Sequence, residues 1–275
     1  MQPSDKRRDF LKKAVPAFLL PASWQTIKAP DLSAVRPKFR FAVASDGHFG
    51  QDKMPYQMYY RDIVRWLNWE KEERGLDVAF FNGDLIHDQP DFLPQVKKQL
   101  DQLQMPYYVC RGNHDMVSKD YWQSIWGYPT NHAFSMGDYG FIIGDTSNEK
   151  GEYLCADTAW LETQLNQLTG KKHVFVLLHI SQSDWVTNGV SCPAVMELLT
   201  KHARVRAVFH GHDHQEDDCK MAGKTPFLYS GHLGGSWGVE YKGYRVVELL
   251  AGNDLVTYQM NYNAQAQLYK RILSL

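Results

Sequence analysis

Five short polar clusters hold most of the residues fit for chemistry: Asp46-Gly47-His48, Gly83-Asp84, Gly112-Asn113-His114-Asp115, His179, and Gly211-His212-Asp213-His214. They combine imidazole, carboxylate and carboxamide donors and contain no thiolate. Neutral imidazole is the commonest metal ligand, and nitrogen and oxygen donors of this kind suit Mn, Fe, Zn or Co. The chemistry on offer is therefore the holding of divalent cations. An isolated Asp-x-His pair carries little weight, because a solvated turn has the same composition. The weight lies in having five such clusters in one chain with 11 histidines.

Donors so far apart in sequence must be brought together by the fold, and the flanking residues indicate how. Residues 38–45 begin in alternation and end apolar, as a strand entering a core does, and Asp46 follows at once. A helix is expected over 58–74, where Ile63, Val64, Trp66 and Leu67 recur at helical spacing and Gly75 offers a stop. Strand 77–82 leads into Gly83-Asp84, a helix follows over 92–103, and strand 106–110 leads into the cluster ending at Asp115. Residues 132–135 and 139–144 flank Met-Gly-Asp and read as an antiparallel hairpin. A helix over 160–168 precedes a buried strand over 173–178 that ends at His179, and strand 205–209 ends at His210-Gly211-His212. Strands over 227–230, 244–250 and 255–262 complete a single α/β domain spanning 38–262, with 263–275 as a C-terminal extension. Ligands of open α/β sheets bind outside the carboxyl ends of strands. Five strands ending in metal-binding residue types are thus expected to meet in one site. Gly83, Gly112 and Gly211 stand where those strands turn, and a residue without Cβ permits unusual backbone angles and close approach there.

In this order and at these spacings, from about Phe41 to His214, the clusters resemble the calcineurin-like metallophosphoesterase family. The compact chain is similar in form to that family's class III cyclic nucleotide phosphodiesterases. The resemblance implies a four-layer αββα sandwich of two mixed sheets, with two divalent metal ions bound at the carboxyl ends of strands. It implies Asp84 as the bridge, Asp46, His48 and His214 as further ligands of one ion, and Asn113, His179 and His212 as those of the other. A shared anion has a physical reason, since neighbouring dications repel. On the family's pattern a metal-bridged hydroxide attacks phosphorus in line with the leaving alcohol. His114 assists the leaving group or the phosphoryl oxygens, and Asp115 holds its ring. Asp88 reads as a helix cap or supporting partner, and His87, His132, His173 and His202 read as surface or packing residues. His232 is a candidate for lining the cleft, whereas Asp213 is expected to point away. Trp122, Trp126, Tyr128, Trp185 and Trp237 default to core or lid, and one or two of them could stack a base or aromatic leaving group.

A chain of 275 residues that is 44% hydrophobic can bury a sizeable core within one domain. Its 30 basic and 31 acidic side chains are dispersed, so there is no basic stripe to track a polyanion and no nucleic-acid signal. A small-molecule phosphate ester is the expected substrate. Cys110, Cys155, Cys192 and Cys219 form no C-x-x-C pair. Cys110 is expected at a buried strand end, and a disulfide could join Cys192 with Cys219, or either of them with Cys155. The opening Lys6-Arg7-Arg8-Asp9-Phe10-Leu11-Lys12-Lys13, with a short apolar stretch after it, resembles a bacterial twin-arginine export signal. That resemblance implies a signal and leader over residues 1–30, the export machinery as a partner, and a periplasmic or other extracytoplasmic destination. Replacing Arg7 and Arg8 by lysine should hold the protein in the cytoplasm, and normal export of that variant in cell fractionation would remove the reading. The apolar stretch is far shorter than the ~20 residues that span a bilayer.

The leading expectation is a phosphodiesterase. The alternatives are a broad phosphomonoesterase that scavenges phosphate outside the cytoplasm, or a non-catalytic metal-binding scaffold. Purple acid phosphatases are relatives of the first kind, but they use a tyrosinate iron ligand, and Tyr59 and Tyr60 lie too far upstream of Gly83-Asp84 to supply it. Retention of seven ligand-type residues together with His114 counts against a scaffold.

Overall fold

Strand β1 (Phe39–Ala44) divides the molecule by its alternation. Phe39, Phe41 and Val43 face one way, and Arg40, Ala42 and Ala44 the other, as a pleated strand requires. The first set enters a cluster with Val78, Phe80 and Cys110 from its own sheet and Phe141, Phe175 and Phe209 from a second sheet. The Phe41 ring lies 5.7, 5.0 and 5.6 Å from those last three, at edge-on angles that suit aromatic quadrupoles. The computed structural model describes residues 36–252 and 254–274; the export signal expected over 1–30 lies outside them.

The first sheet runs β12 (Ala266–Leu273), β11 (Leu255–Asn261), β10 (Gly243–Leu249), β1, β2 (Val78–Asn82), β3 (Tyr107–Cys110), with β1 to β3 parallel and β10 to β12 antiparallel. The second runs β4 (His132–Met136), β5 (Tyr139–Gly144), β6 (His173–Leu178), β7 (Val205–His210), β9 (Thr225–Tyr229), β8 (Cys219–Ala222), parallel from β5 to β9 and antiparallel at both edges. Both sheets are mixed, as the resemblance implies. Helices α4 (Thr158–Gln167) and α5 (Pro193–Lys201) insert Leu161, Leu165, Val195 and Leu199 against Val174, Val176 and Val208 on the outer face of the second sheet. Helix α1 (Tyr56–Arg74) covers the outer face of the first and ends at Gly75, whose φ of 73° closes the last turn. Helix α2 (Leu93–Leu100) follows a 3-10 turn and packs beside α1, and α3 (Lys119–Trp126) starts where the Ser118 side chain accepts from the Tyr121 N–H. The layers are αββα. No helix among the described residues is long and apolar enough to cross a membrane.

One expectation changes, and one choice left open by the sequence is made. Residues 263–275 are not a simple extension, because Ala266–Leu273 pairs with β11 and forms the sheet edge. Of the possible disulfides, Cys155 joins Cys192, leaving Cys219 half-buried and free, while Cys110 is buried at the end of β3.

The outer face of β1 also carries a buried ion pair. Arg40 Nη2 lies 2.7 Å from Glu70 Oε2 on α1 and also donates to the Tyr258 hydroxyl, while Nε donates to Glu248. Removing one partner of such a pair strands a buried charge at a cost of about 3–5 kcal/mol. Glu70→Ala is accordingly expected to lower the denaturation free energy by about that amount, and a loss near zero in a denaturant melt would show that the pair does not hold α1 on the sheet.

Candidate metal centre

The chain turns sharply after each central strand, and candidate ligands occupy the turns. Asp46, His48, Asp84 and His212 all have positive φ, at 59°, 44°, 52° and 67°. Each such residue costs about 1–3 kcal/mol and persists only where its surroundings overdetermine it. Here they do. The Asp46 N–H donates to the Gly83 carbonyl at 3.0 Å, and the Gly47 and His48 N–H groups both donate to the Asp84 carbonyl at 2.9 Å. The His212 N–H reaches both Asp46 carboxylate oxygens at 3.1 Å. Gly83 alone of the three expected turn glycines has a left-handed backbone, with φ of 90°. Gly112 and Gly211 serve close approach instead, since a Cβ would collide with Asp84 Oδ1 at the former and Ser45 Oγ at the latter.

These turns converge from both sheets. Asp46, His48 and His214 form one buried group and Asp84, His179 and His212 another, with donor atoms in each within 4.8 Å of one another. The groups adjoin, because His179 Nε2 lies 3.3 Å from Asp84 Oδ2 and 3.9 Å from Asp46 Oδ1, and His48 Nε2 lies 3.7 Å from Asp84 Oδ2. Asn113 is buried next to them with its Oδ1 unpartnered. All seven residues marked as ligands by sequence are thus brought to the same pair of loop clusters.

The hydrogen bonds identify what this arrangement is built to hold. His179 Nδ1 donates to the Asn82 carbonyl at 2.6 Å and His214 Nδ1 to the Trp237 carbonyl at 3.0 Å. A carbonyl can only accept, so each Nδ1 carries a proton and each ring turns its Nε2 to the interior. Yet His214 Nε2 faces His48 Nε2 at 2.9 Å and Asp46 Oδ1 at 3.2 Å, and His212 Nε2 is buried without a partner. So many imidazole nitrogens and carboxylates gathered in a buried space carry few protons to share, and a cation among them offsets the cost of their burial. Burial pushes His48 down to about 3 and His212 down to about 4, which keeps both rings neutral. For His179 burial works the same way, but Asp84 and then Asp46 outweigh it and push the ring up to about 9. A proton or a metal can satisfy that electrostatic demand. The residues present fit divalent cations.

His114 stands at the rim, about a third exposed. Its orienting partner differs from the expected one. Asp115 is turned inward, where its carboxylate accepts from the Ile86 N–H at 2.9 Å and the Gly112 N–H at 2.8 Å. Asp88 Oδ1 instead meets His114 Nδ1 at 2.7 Å. His87 is not mere packing either, for its Nδ1 lies 3.1 Å from His48 Nδ1 and its ring stacks on His114. His232 does not line the cleft; it is buried and bonds the Gly234 and Val239 carbonyls. Asp213 points to Asn188, as expected. Trp122 and Trp126 are core residues, and Trp237 and the previously unremarked Tyr153 are exposed beside His214 and His212.

Comparison with known proteins agrees with this geometry. A family model described as calcineurin-like phosphoesterase matches residues 39–216. A protein of Arcobacter nitrofigilis named probable glycerophosphodiester phosphodiesterase GpdQ is 27% identical over 189 residues, covering 63% of this chain and 68% of that protein. Among solved structures, a dimetal phosphatase from Danio rerio superposes with a TM-score of 0.69 at 14% identity, over 86% of this chain and 99% of that one. A purple acid phosphatase from yellow lupin superposes with a TM-score of 0.62 at 13% identity, over 86% of this chain and 53% of that one. These two likenesses are of fold.

Proposed function

The chain belongs to the calcineurin-like phosphoesterase family, and from that premise we propose that it is a dinuclear metal-dependent phosphodiesterase acting on small phosphate esters outside the cytoplasm. The observation that carries the proposal is the buried convergence of the His48, His179, His212 and His214 rings on the carboxylates of Asp46 and Asp84. Asp46, His48 and His214 would hold one cation, and Asn113, His179 and His212 the other, with Asp84 between them. Two divalent ions there would supply Lewis acidity at the phosphoryl oxygens and a water acidified towards neutral pH. The chain's own residues do the rest. His114 keeps Nδ1 on Asp88, which leaves Nε2 to give a proton to the departing alkoxide. Asp115 ties the loops after β2 and β3 together through the Ile86 and Gly112 N–H groups, fixing where His114 and Asn113 stand. The diester preference draws on the named activity of the Arcobacter relative, and the extracytoplasmic setting draws on the twin-arginine pattern at Arg7 and Arg8.

The test is chelation and rescue. Hydrolysis of bis(p-nitrophenyl) phosphate should fall to background after exhaustive treatment with a chelator and return on addition of manganese. Undiminished hydrolysis by protein shown to be metal-free would sink the proposal. An aryl monoester run beside the diester separates the phosphomonoesterase alternative.

A further inference from the structure

Trp237 and Tyr153 are large aromatic side chains, each 43% exposed, resting on histidines of the candidate centre. The Trp237 indole lies parallel to His214 at 4.0 Å and 4°. The Tyr153 ring meets His212 edge-on at 4.7 Å and 88°. One therefore borders each of the two adjoining ligand groups, and they come from unrelated loops.

Both loops are pinned. His214 Nδ1 holds the Trp237 carbonyl, the Val239 N–H returns to the His214 carbonyl at 3.0 Å, and Gln51 reaches Ser236 at 3.1 Å. The turn also relies on Gly238, whose φ is 118° and whose missing Cβ leaves room for His214. Tyr153 is bridged to Ser147, the next residue donates to the Thr146 carbonyl, and Cys155 is tied to Cys192.

Rings that served only to shield the histidines would be better buried, since exposed apolar surface is a cost. Rigid aromatic faces held in water beside a polar, charged centre are instead the composition of a small-molecule site, where apolar walls flank a few convergent polar groups and preorganisation reduces the entropy lost on binding. A glycerol ester has no flat surface to cover either ring, whereas a base or aryl group does. We infer that Trp237 and Tyr153 form a stacking subsite that selects phosphodiesters bearing a planar aromatic group, a nucleobase or an aryl ring, over glycerol esters. The inference rests on the phosphoesterase reading above and names its substrate class.

The test uses the manganese-loaded full chain with three esters: bis(p-nitrophenyl) phosphate, p-nitrophenyl thymidine 5′-phosphate and glycerophosphoethanolamine. Alanine substitution of a stacking aromatic typically weakens binding of a ring by about 5- to 150-fold. Trp237→Ala and Tyr153→Ala should each reduce the ratio of kcat/KM for ring-bearing over glycerol ester by about tenfold, mainly through KM. Trp237→Phe and Tyr153→Phe should restore most of it. The Trp237→Ala chain keeps the carbonyl that orients His214, and manganese content measured alongside identifies any damage to the centre. An unchanged ratio, or equal losses on all three esters, overturns the subsite. Absence of manganese-dependent hydrolysis of any ester by the unsubstituted protein is a different result and overturns the phosphoesterase reading itself. Of the two ring-bearing esters, the one that loses more identifies whether base or aryl ring is the better fit.

Discussion

On the proposed dinuclear reading, Asp84→Asn is expected to lower kcat/KM for an aryl phosphodiester by at least about 10³-fold, because the several kcal/mol that paired cations would contribute, at about 1.4 kcal/mol per decade, would depend on the anion between them. Asp84 Oδ2 lies 3.3 Å from His179 Nε2 and 3.7 Å from His48 Nε2, so it addresses both ligand groups. Its Oδ1 accepts from the His114 N–H at 2.8 Å, and an asparagine oxygen can accept in the same way. Asparagine also tolerates the left-handed backbone at this position, where φ is 52°. The substitution consequently removes charge with little change of shape. Without it, Asp46 is the one carboxylate left among the proposed ligands to offset the mutual repulsion of two dications, and manganese stoichiometry should fall together with turnover while the circular dichroism spectrum is retained. Full metal content with near-normal turnover would show that Asp84 is not the junction.

The sequence made the site legible because each cluster directly follows an apolar run, and both features are local. A buried strand followed by Asp46, Gly83-Asp84 or Gly211-His212 announces where the chain leaves the sheet, and the two sheets do present those ends together. What escaped was non-local or went against local pattern. Asp115 is adjacent to His114 in sequence and was the natural partner for it, yet the turn that brings the Asp115 N–H to the Gly112 carbonyl at 3.2 Å sends its carboxylate back towards backbone donors. Asp88, 26 residues away, takes the ring. Its own φ of 65°, and those of Asp46, His48 and His212, leave only a weak mark in residue type, since Asp and His are enriched at such angles but glycine is their usual sign. Strand β12 was hidden for another reason. It is largely exposed on both faces and kinks at Tyr269, where φ is 55°, so it lacks the alternation by which a half-buried strand is recognised. The Cys155–Cys192 pairing depended on which loops flank the centre, and four cysteines without close spacing could not convey that.

Placement of His114 at the rim leads to the second large effect. His114→Ala is expected to reduce kcat by about 10²–10⁴-fold, the usual contribution of a positioned general acid, with manganese content preserved. The ring's Nδ1 is committed to Asp88, and its partial exposure leaves Nε2 free to meet a substrate. Asp88→Asn separates positioning from proton donation. A carboxamide oxygen still accepts from Nδ1 but without charge assistance, a difference of about 1 kcal/mol between neutral and charged partners, so kcat should fall roughly five- to tenfold. KM should stay near its original value, because Asp88 grips the ring and not the ester. If His114→Ala instead lost metal in proportion to activity, the ring would belong to the cation shell and the leaving-group role would have to pass to another donor. His87, which stacks on His114 at 4.8 Å, would then be the first residue to test.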